Sequence, residues 1–250
     1  MKYYFLIVVA LISSCCASCY SQTSIETDRP DQTETTATVP AGRFQAEIGF
    51  LHEKQGEDER AFEVPVALLK FGISSNVELR LGLEVANEKE QEEISNGLKP
   101  LRLGSKFKIY EEQGFWPAVS ILAEAALPKL ASSDFKLENV AATARLLFQN
   151  TLSESVEIGY NAGLEWDGDS SRPEYLYSIS PNYEINEHLT AFAEAYGYFQ
   201  KNHHAEQWID GGFSILLSDA VQLDFSAGYE LTHTQHFHNF FESVGFSFRI

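Results

Sequence analysis

The feature that most constrains this chain is a two-residue apolar period sustained for longer than a soluble strand needs. Val156-Ile158-Tyr160-Ala162-Leu164-Trp166 alternates with Glu157-Gly159-Asn161-Gly163-Glu165, and Val221-Leu223-Phe225-Ala227-Tyr229-Leu231 alternates with Gln222-Asp224-Ser226-Gly228-Glu230. Val77-Leu79-Leu81-Leu83-Val85 against Glu78-Arg80-Gly82-Glu84 repeats the pattern, and Phe44-Ala46-Ile48-Phe50 against Gln45-Glu47-Gly49 begins it. Successive strand side chains point to opposite faces, so each run has one apolar and one polar face. Runs of about 9–11 residues suit a tilted membrane strand, whereas soluble strands average about five or six. In hydrocarbon, strands satisfy every backbone group only when they close into a barrel. A soluble β-sandwich would show the same period in shorter strands.

Extended along the chain, the period predicts strands near 43–53, 61–72, 76–87, 100–110, 115–127, 137–149, 154–167, 174–185, 188–200, 205–217, 220–232 and 239–250. The connections alternate between tight turns and mostly longer polar links, at 54–60, 88–99, 128–136, 168–173, 201–204 and 233–238. The expected fold is therefore all-β: a closed, antiparallel, up-and-down transmembrane β-barrel of about 12 strands, with short periplasmic turns and longer outer loops. Pro65, Pro117 and Pro181 must fall at rims or bulges, because proline cannot donate to a ladder.

Both ends of the chain agree with export to an outer membrane. Met1-Lys2, an apolar run from Tyr3 to Ile12 and the small residues Ala17-Ser18-Cys19-Tyr20-Ser21 read as a signal peptide over 1–21, followed by an arm over 22–42, periplasmic or lumenal, and the barrel over 43–250. Ile12-Ser13-Ser14-Cys15 also fits lipoprotein processing at Cys15. All three cysteines lie before residue 22, which leaves the barrel without thiol chemistry. The ending Ser243-Val244-Gly245-Phe246-Ser247-Phe248-Arg249-Ile250 has the spacing of a C-terminal barrel-assembly signal, so the expected partners are the barrel-assembly machinery, outer-membrane lipid and a small solute. With 36 Asp+Glu against 18 Lys+Arg, nucleic acid is excluded as a partner by charge repulsion.

At this point particular residues resemble a known family. Thr27-Asp28-Arg29-Pro30-Asp31-Gln32-Thr33-Glu34, followed by Val39-Pro40-Ala41-Gly42-Arg43-Phe44-Gln45-Ala46-Glu47, is similar to the opening of the outer-membrane proteins labelled "transporter" or MetA-pathway phenol-degradation proteins. Phe71-Gly72-Ile73-Ser74-Ser75-Asn76-Val77-Glu78-Leu79-Arg80-Leu81-Gly82 and Leu101-Arg102-Leu103-Gly104-Ser105-Lys106-Phe107-Lys108 resemble its recurrent strand motifs, with Lys99-Pro100 in place of the usual Gly-Asp. The resemblance implies an outer-membrane barrel in a Gram-negative envelope and brings no catalytic site with it.

Placing each polar face inward nominates Glu78, Arg80, Glu84, Arg102, Lys106, Lys108, Glu124, Arg145, Glu157, Glu194, Asp224 and Glu230 as lumen-lining residues. Glu47, Glu63, Glu165, Asp167, Asp210 and Arg249 share that assignment. The bases concentrate on the third, fourth and sixth predicted strands, which suggests a positive stripe facing a negative wall. Two readings follow: passive or facilitated passage of a small, hydrophobic or aromatic solute, and a closed structural or binding barrel whose charges satisfy one another. A hydrolase has little support, since no Gly-x-Ser-x-Gly elbow is present. No catalytic residue, cofactor or metal ligand is assigned. His52, His203, His204, His233, His236 and His238 fall at the predicted outer end without diagnostic spacing. Thr23 to Pro40, rich in threonine and acid, reads as a solvated leader.

Overall fold

The computed structural model describes residues 24–56, 59–168, 172–200, 205–232 and 239–250. Its strands are β1 (Phe44–Gln55), β2 (Glu59–Ser74), β3 (Val77–Glu90), β4 (Glu93–Leu98), β5 (Leu101–Tyr110), β6 (Ala118–Leu127), β7 (Ala141–Ser153), β8 (Val156–Trp166), β9 (Glu174–Asn186), β10 (Leu189–Phe199), β11 (Glu206–Ser218), β12 (Val221–Glu230) and β13 (Phe240–Arg249). Every pairing between these strands is antiparallel, and β1 pairs with β13 from Gln45↔Arg249 to Lys54↔Phe240, which closes the sheet into a barrel.

Among the described residues, thirteen strands make twelve staves. The lower half of β3 pairs with β5 through Val77–Gly82, and its upper half pairs with β4 through Val85–Glu90. β4 and β5 thus occupy one position in succession, separated by Lys99-Pro100. All twelve predicted strands are present. The difference lies in the predicted 88–99 link, which carries the end of β3 and the β4 hairpin. That hairpin turns at Gln91, whose φ is 53°. The outer segment after β6 covers β4, with Ser132 N–H donating to the Leu98 carbonyl at 2.9 Å.

Side-chain exposure follows the pleat. On β12 and β13, Gln222, Asp224, Ser226, Glu230, Ser243 and Ser247 are buried, while Leu223, Phe225, Tyr229, Val244 and Phe246 are exposed. An apolar exterior around a polar interior is the arrangement a bilayer selects. Two of the prolines are accommodated as expected, since the register shifts between Glu63 and Val66 around Pro65 of β2 and Pro117 precedes β6; the third is not at a rim or a bulge of the β8–β9 ladder. Pro181 lies in β9 opposite Ile158 of β8.

Candidate functional site

The lumen is occupied by the chain's own arm. Residues 24–40 enter at the rim that bears the short turns, where Ile25 N–H donates to the Asp219 carbonyl at 2.8 Å. They reach inward to Gln32, whose N–H donates to Glu194 at 2.7 Å, and return to the same rim, where the Thr38 hydroxyl donates to the Ser75 carbonyl at 2.9 Å. Thr27, Asp28, Thr33 and Thr36 are buried, so this stretch is no solvated leader. Its threonines and acids, unremarkable in water, are what a strand-lined polar lumen can hydrogen-bond.

Asp28 is the anchor on the basic side. Its carboxylate accepts from Lys70 at 2.8 Å, Lys106 at 2.7 Å and Arg80 at 3.2 Å, and from the N–H and hydroxyl of Thr35 at 3.1 and 3.0 Å. Glu34 receives Arg80 through two bonds of 2.7 and 2.8 Å, and Arg80 Nε lies 2.9 Å from Glu124. Lys70 also pairs with Glu47. Burial opposes ionisation of Asp28, but Lys106, Lys70 and Arg80 outweigh it and hold the carboxyl well below its ordinary range.

The neighbouring residue anchors the opposite wall. Arg29 NH2 lies 2.9 Å from Asp224 and donates to the Ser243 hydroxyl at 2.7 Å. Its guanidinium sits over Gly49 and Gly245, which are cross-strand partners of β1 and β13. A Cβ at either position would lie 2.4 Å from an Arg29 nitrogen, so only glycine leaves the slot open. Further in, the Thr33 hydroxyl donates to Glu194 at 2.5 Å and lies 2.7 Å from that of Ser178. Adjacent residues, Asp28 and Arg29, thus bind walls of opposite charge.

The twelve nominated residues divide by position. Glu78, Arg80, Lys106, Glu194 and Asp224 are buried and gather on the arm or its partners, and Glu78 accepts Val39 N–H at 2.8 Å. Glu124 closes on Arg80, as described. Arg145 reaches the Gln32 carbonyl at 3.3 Å. Glu84 and Arg102 pair with each other on the outer side of the arm. Lys108 pairs with Glu111 at the turn-bearing rim at 3.0 Å, Glu157 accepts from Gln149 at 3.0 Å, and Glu230 accepts from Asn239 at 2.7 Å near the outer rim.

Lys70 was missed by sequence reasoning. It sits among Leu68, Leu69 and Phe71, and only the register with Gln45 of β1 and Arg80 of β3 identifies its face. Of the outer histidines, His203, His204, His233, His236 and His238 lie outside the described residues. His52 stacks on Phe62 at 4.5 Å on the outward face of the barrel.

The arm fills one side of the lumen and leaves the other hollow. A cavity of about 540 Å³ lies between it and β7–β12, lined by Glu26, Asp31, Glu157, Glu184, Phe192 and others. Asp31 forms part of the lining that lies deepest from the rim, and burial together with the nearby Glu194 pushes its carboxyl well above the ordinary range.

The fold, the lipid-compatible exterior and the charged, arm-filled lumen together define a transmembrane β-barrel. The chain belongs to the family described as "Putative MetA-pathway of phenol degradation", whose model matches residues 27–250. It is similar in fold to a crystallised outer membrane channel from Pseudomonas putida F1, at 12% identity and a TM-score of 0.69, covering 90% of this chain and 100% of that one. The NanC porin superposes at 10% identity and a TM-score of 0.58, and the KdgM porin in complex with disordered oligogalacturonate at 13% and 0.54. Each of the two porins covers 81% of this chain and 98% of its own. No curated protein matches the sequence.

Proposed function

We propose that this protein is an outer-membrane channel for a small solute, held closed by its own N-terminal arm. The observation that carries the reading is the two-walled anchoring of residues 24–40. A structural barrel gains nothing from binding opposite walls with a reversible polar segment, whereas a pore needs a plug that polar contacts can both hold and release. The hollow beside the arm supports the same reading, because it gives the arm and a solute room within the barrel. Likeness to channels and porins is consistent with it.

Planar-bilayer recordings on refolded protein test it. The full chain should show small or infrequent openings, and a chain lacking residues 24–40 should conduct steadily. A second reading, the closed barrel, is favoured by Leu122 and Leu147, which are fully buried apolar side chains on inward positions. Absence of current from the arm-deleted chain, with its barrel folded by gel mobility, would establish that second reading.

A further inference from the structure

The barrel brings three cations to the arm and fewer carboxylates of its own to meet them. Lys70 of β2 stands opposite Arg80 of β3, and Lys106 of β5 stands opposite Glu78, two residues before Arg80. This register gathers the three bases on neighbouring staves, and each side chain is at most 2% exposed. Two of them have close partners in the barrel: Lys70 pairs with Glu47, and Arg80 with Glu124. Lys106 does not. Glu78 accepts Val39 N–H, and among the described residues Lys106 forms ion pairs only with Asp28 at 2.7 Å and Glu34 at 3.6 Å, both of the arm. A buried ammonium without an anion is costly, so this wall is built around carboxylates that the barrel itself does not provide.

The arm shows what fills the place. Asp28 bridges all three cations, Oδ1 accepting from Lys106 and Oδ2 from Lys70 and Arg80. Glu34 lies against the same Arg80 through its two-bond fork, and its Oε2 faces Lys106. Two carboxylates are thus held side by side by one guanidinium and one ammonium. Such charge-assisted bonds are about twice as strong as neutral ones, and the planar guanidinium fork matches carboxylate geometry. The contacts with the bases are all made by side-chain carboxylates, so a free molecule with two carboxylates a short distance apart satisfies them equally. The bonds that Asp28 receives from Thr35 belong to the arm and leave with it. Access is at hand, because Glu34 and Thr35 also line the cavity beside the arm. A solute in that cavity is separated from the bases by the arm's own side chains.

We propose that Lys70, Arg80 and Lys106 form a binding site for a small dicarboxylate, whose place Asp28 and Glu34 hold in the closed state. The arm is then a tethered competitor, and an entering solute helps to release it. As a binding site it stands on this geometry alone. As a statement about the solute that passes, it rests on the channel reading above.

Calorimetry on the refolded full chain in detergent at low salt, with succinate as the probe, tests the site without reference to conduction. The unaltered chain should bind succinate weakly, because the arm competes for the same cations. Asp28→Asn should bind it about tenfold tighter or more, since apparent affinity rises with the fraction of sites left free. Glu34→Gln should shift affinity in the same direction, and it keeps the test available if Asp28→Asn does not fold. Barrel integrity is read in each variant from heat-modifiable gel mobility. In the Asp28→Asn background, Lys106→Met should remove binding, whereas Lys108→Met at the rim should leave it unchanged. Butyrate should bind about tenfold more weakly than succinate, having one carboxylate for the fork and the ammonium to share, and neutral succinamide should not bind. Affinity that fails to rise in either arm variant, equal binding of butyrate or succinamide, equal competition by chloride, or binding retained in Lys106→Met would overturn the site. So would the absence of succinate binding from every chain. Succinate binding without current would refute the channel reading alone, and current without succinate binding would refute this site alone.

Discussion

The two walls of the lumen are built from the same residue types and behave differently. On the side of β2, β3 and β5, Lys70 and Arg80 each meet carboxylates from both the barrel and the arm, and Lys106 meets Asp28 and Glu34 of the arm. On the side of β10 and β11, Glu194 accepts from Gln32 and Thr33 of the arm and faces a second acid, Asp210, with which it shares a hydrogen bond, so carboxyl groups outnumber basic partners there. A saturated network fixes geometry, because removing any member strands a buried charge. An unsaturated one stores unmet demand, which a proton, a cation or a moving segment can satisfy. The first wall therefore holds the arm, and the second responds to what arrives.

The largest effect should come from the saturated wall. Replacing Lys106 with Met strands Asp28 between fewer cations, at a cost of about 3–5 kcal/mol. Bilayer recordings should show this as a closed-to-open ratio lower by roughly two to four orders of magnitude, and an unchanged ratio would show that the network does not restrain the arm. Asp224→Asn removes the charge partner of Arg29 but leaves its bond to Ser243, so a loss of about 2 kcal/mol in the same ratio is expected.

Acidity should distinguish two arm carboxyls, Asp31 and Asp28, by sign. Asp31 is raised when docked, so its contribution to closure is fully present below the ordinary carboxylate range and is lost as pH rises through its docked value. Asp28 is depressed, so its contribution is present above that range and is lost only as pH falls through its low docked value. Openings should increase toward alkaline pH, by about 1.4 kcal/mol for each pH unit within that window. Asp31→Asn should flatten the alkaline limb and spare the acid one. The smallest effect belongs to the exposed rim pair of Lys108 and Glu111, where Glu111→Ala should change folded stability by less than about 1 kcal/mol in urea titration.

The strands could be read from the sequence because lipid on one face and polar groups on the other impose a period on every residue between. β4 could not, since its hairpin lacks that period: Glu88-Lys89-Glu90 and Glu92-Glu93 are charged on both faces. Glu78, Arg80, Lys106, Glu194 and Asp224 were found through their alternation. The arm's role was hidden for a different reason: Asp28, Arg29 and Thr33 have no strand or helix of their own, and Arg29 meets Asp224 across 195 positions of sequence. No local pattern carries a contact of that span. The facing of Glu194 on Asp210 and of Tyr196 on Trp208 likewise emerges only from register.

The arm runs into the barrel through Ala41-Gly42-Arg43 at the rim, where Gly42 N–H is held by the Gly72 carbonyl at 2.8 Å. Once released it remains tethered, with a contour of about 50–60 Å at full extension. A tether of that length keeps the free segment at an effective concentration on the order of millimolar beside its own entrance. Recapture is then a first-order event belonging to each molecule alone. Burst lengths in single-channel records should be independent of how much protein the membrane holds.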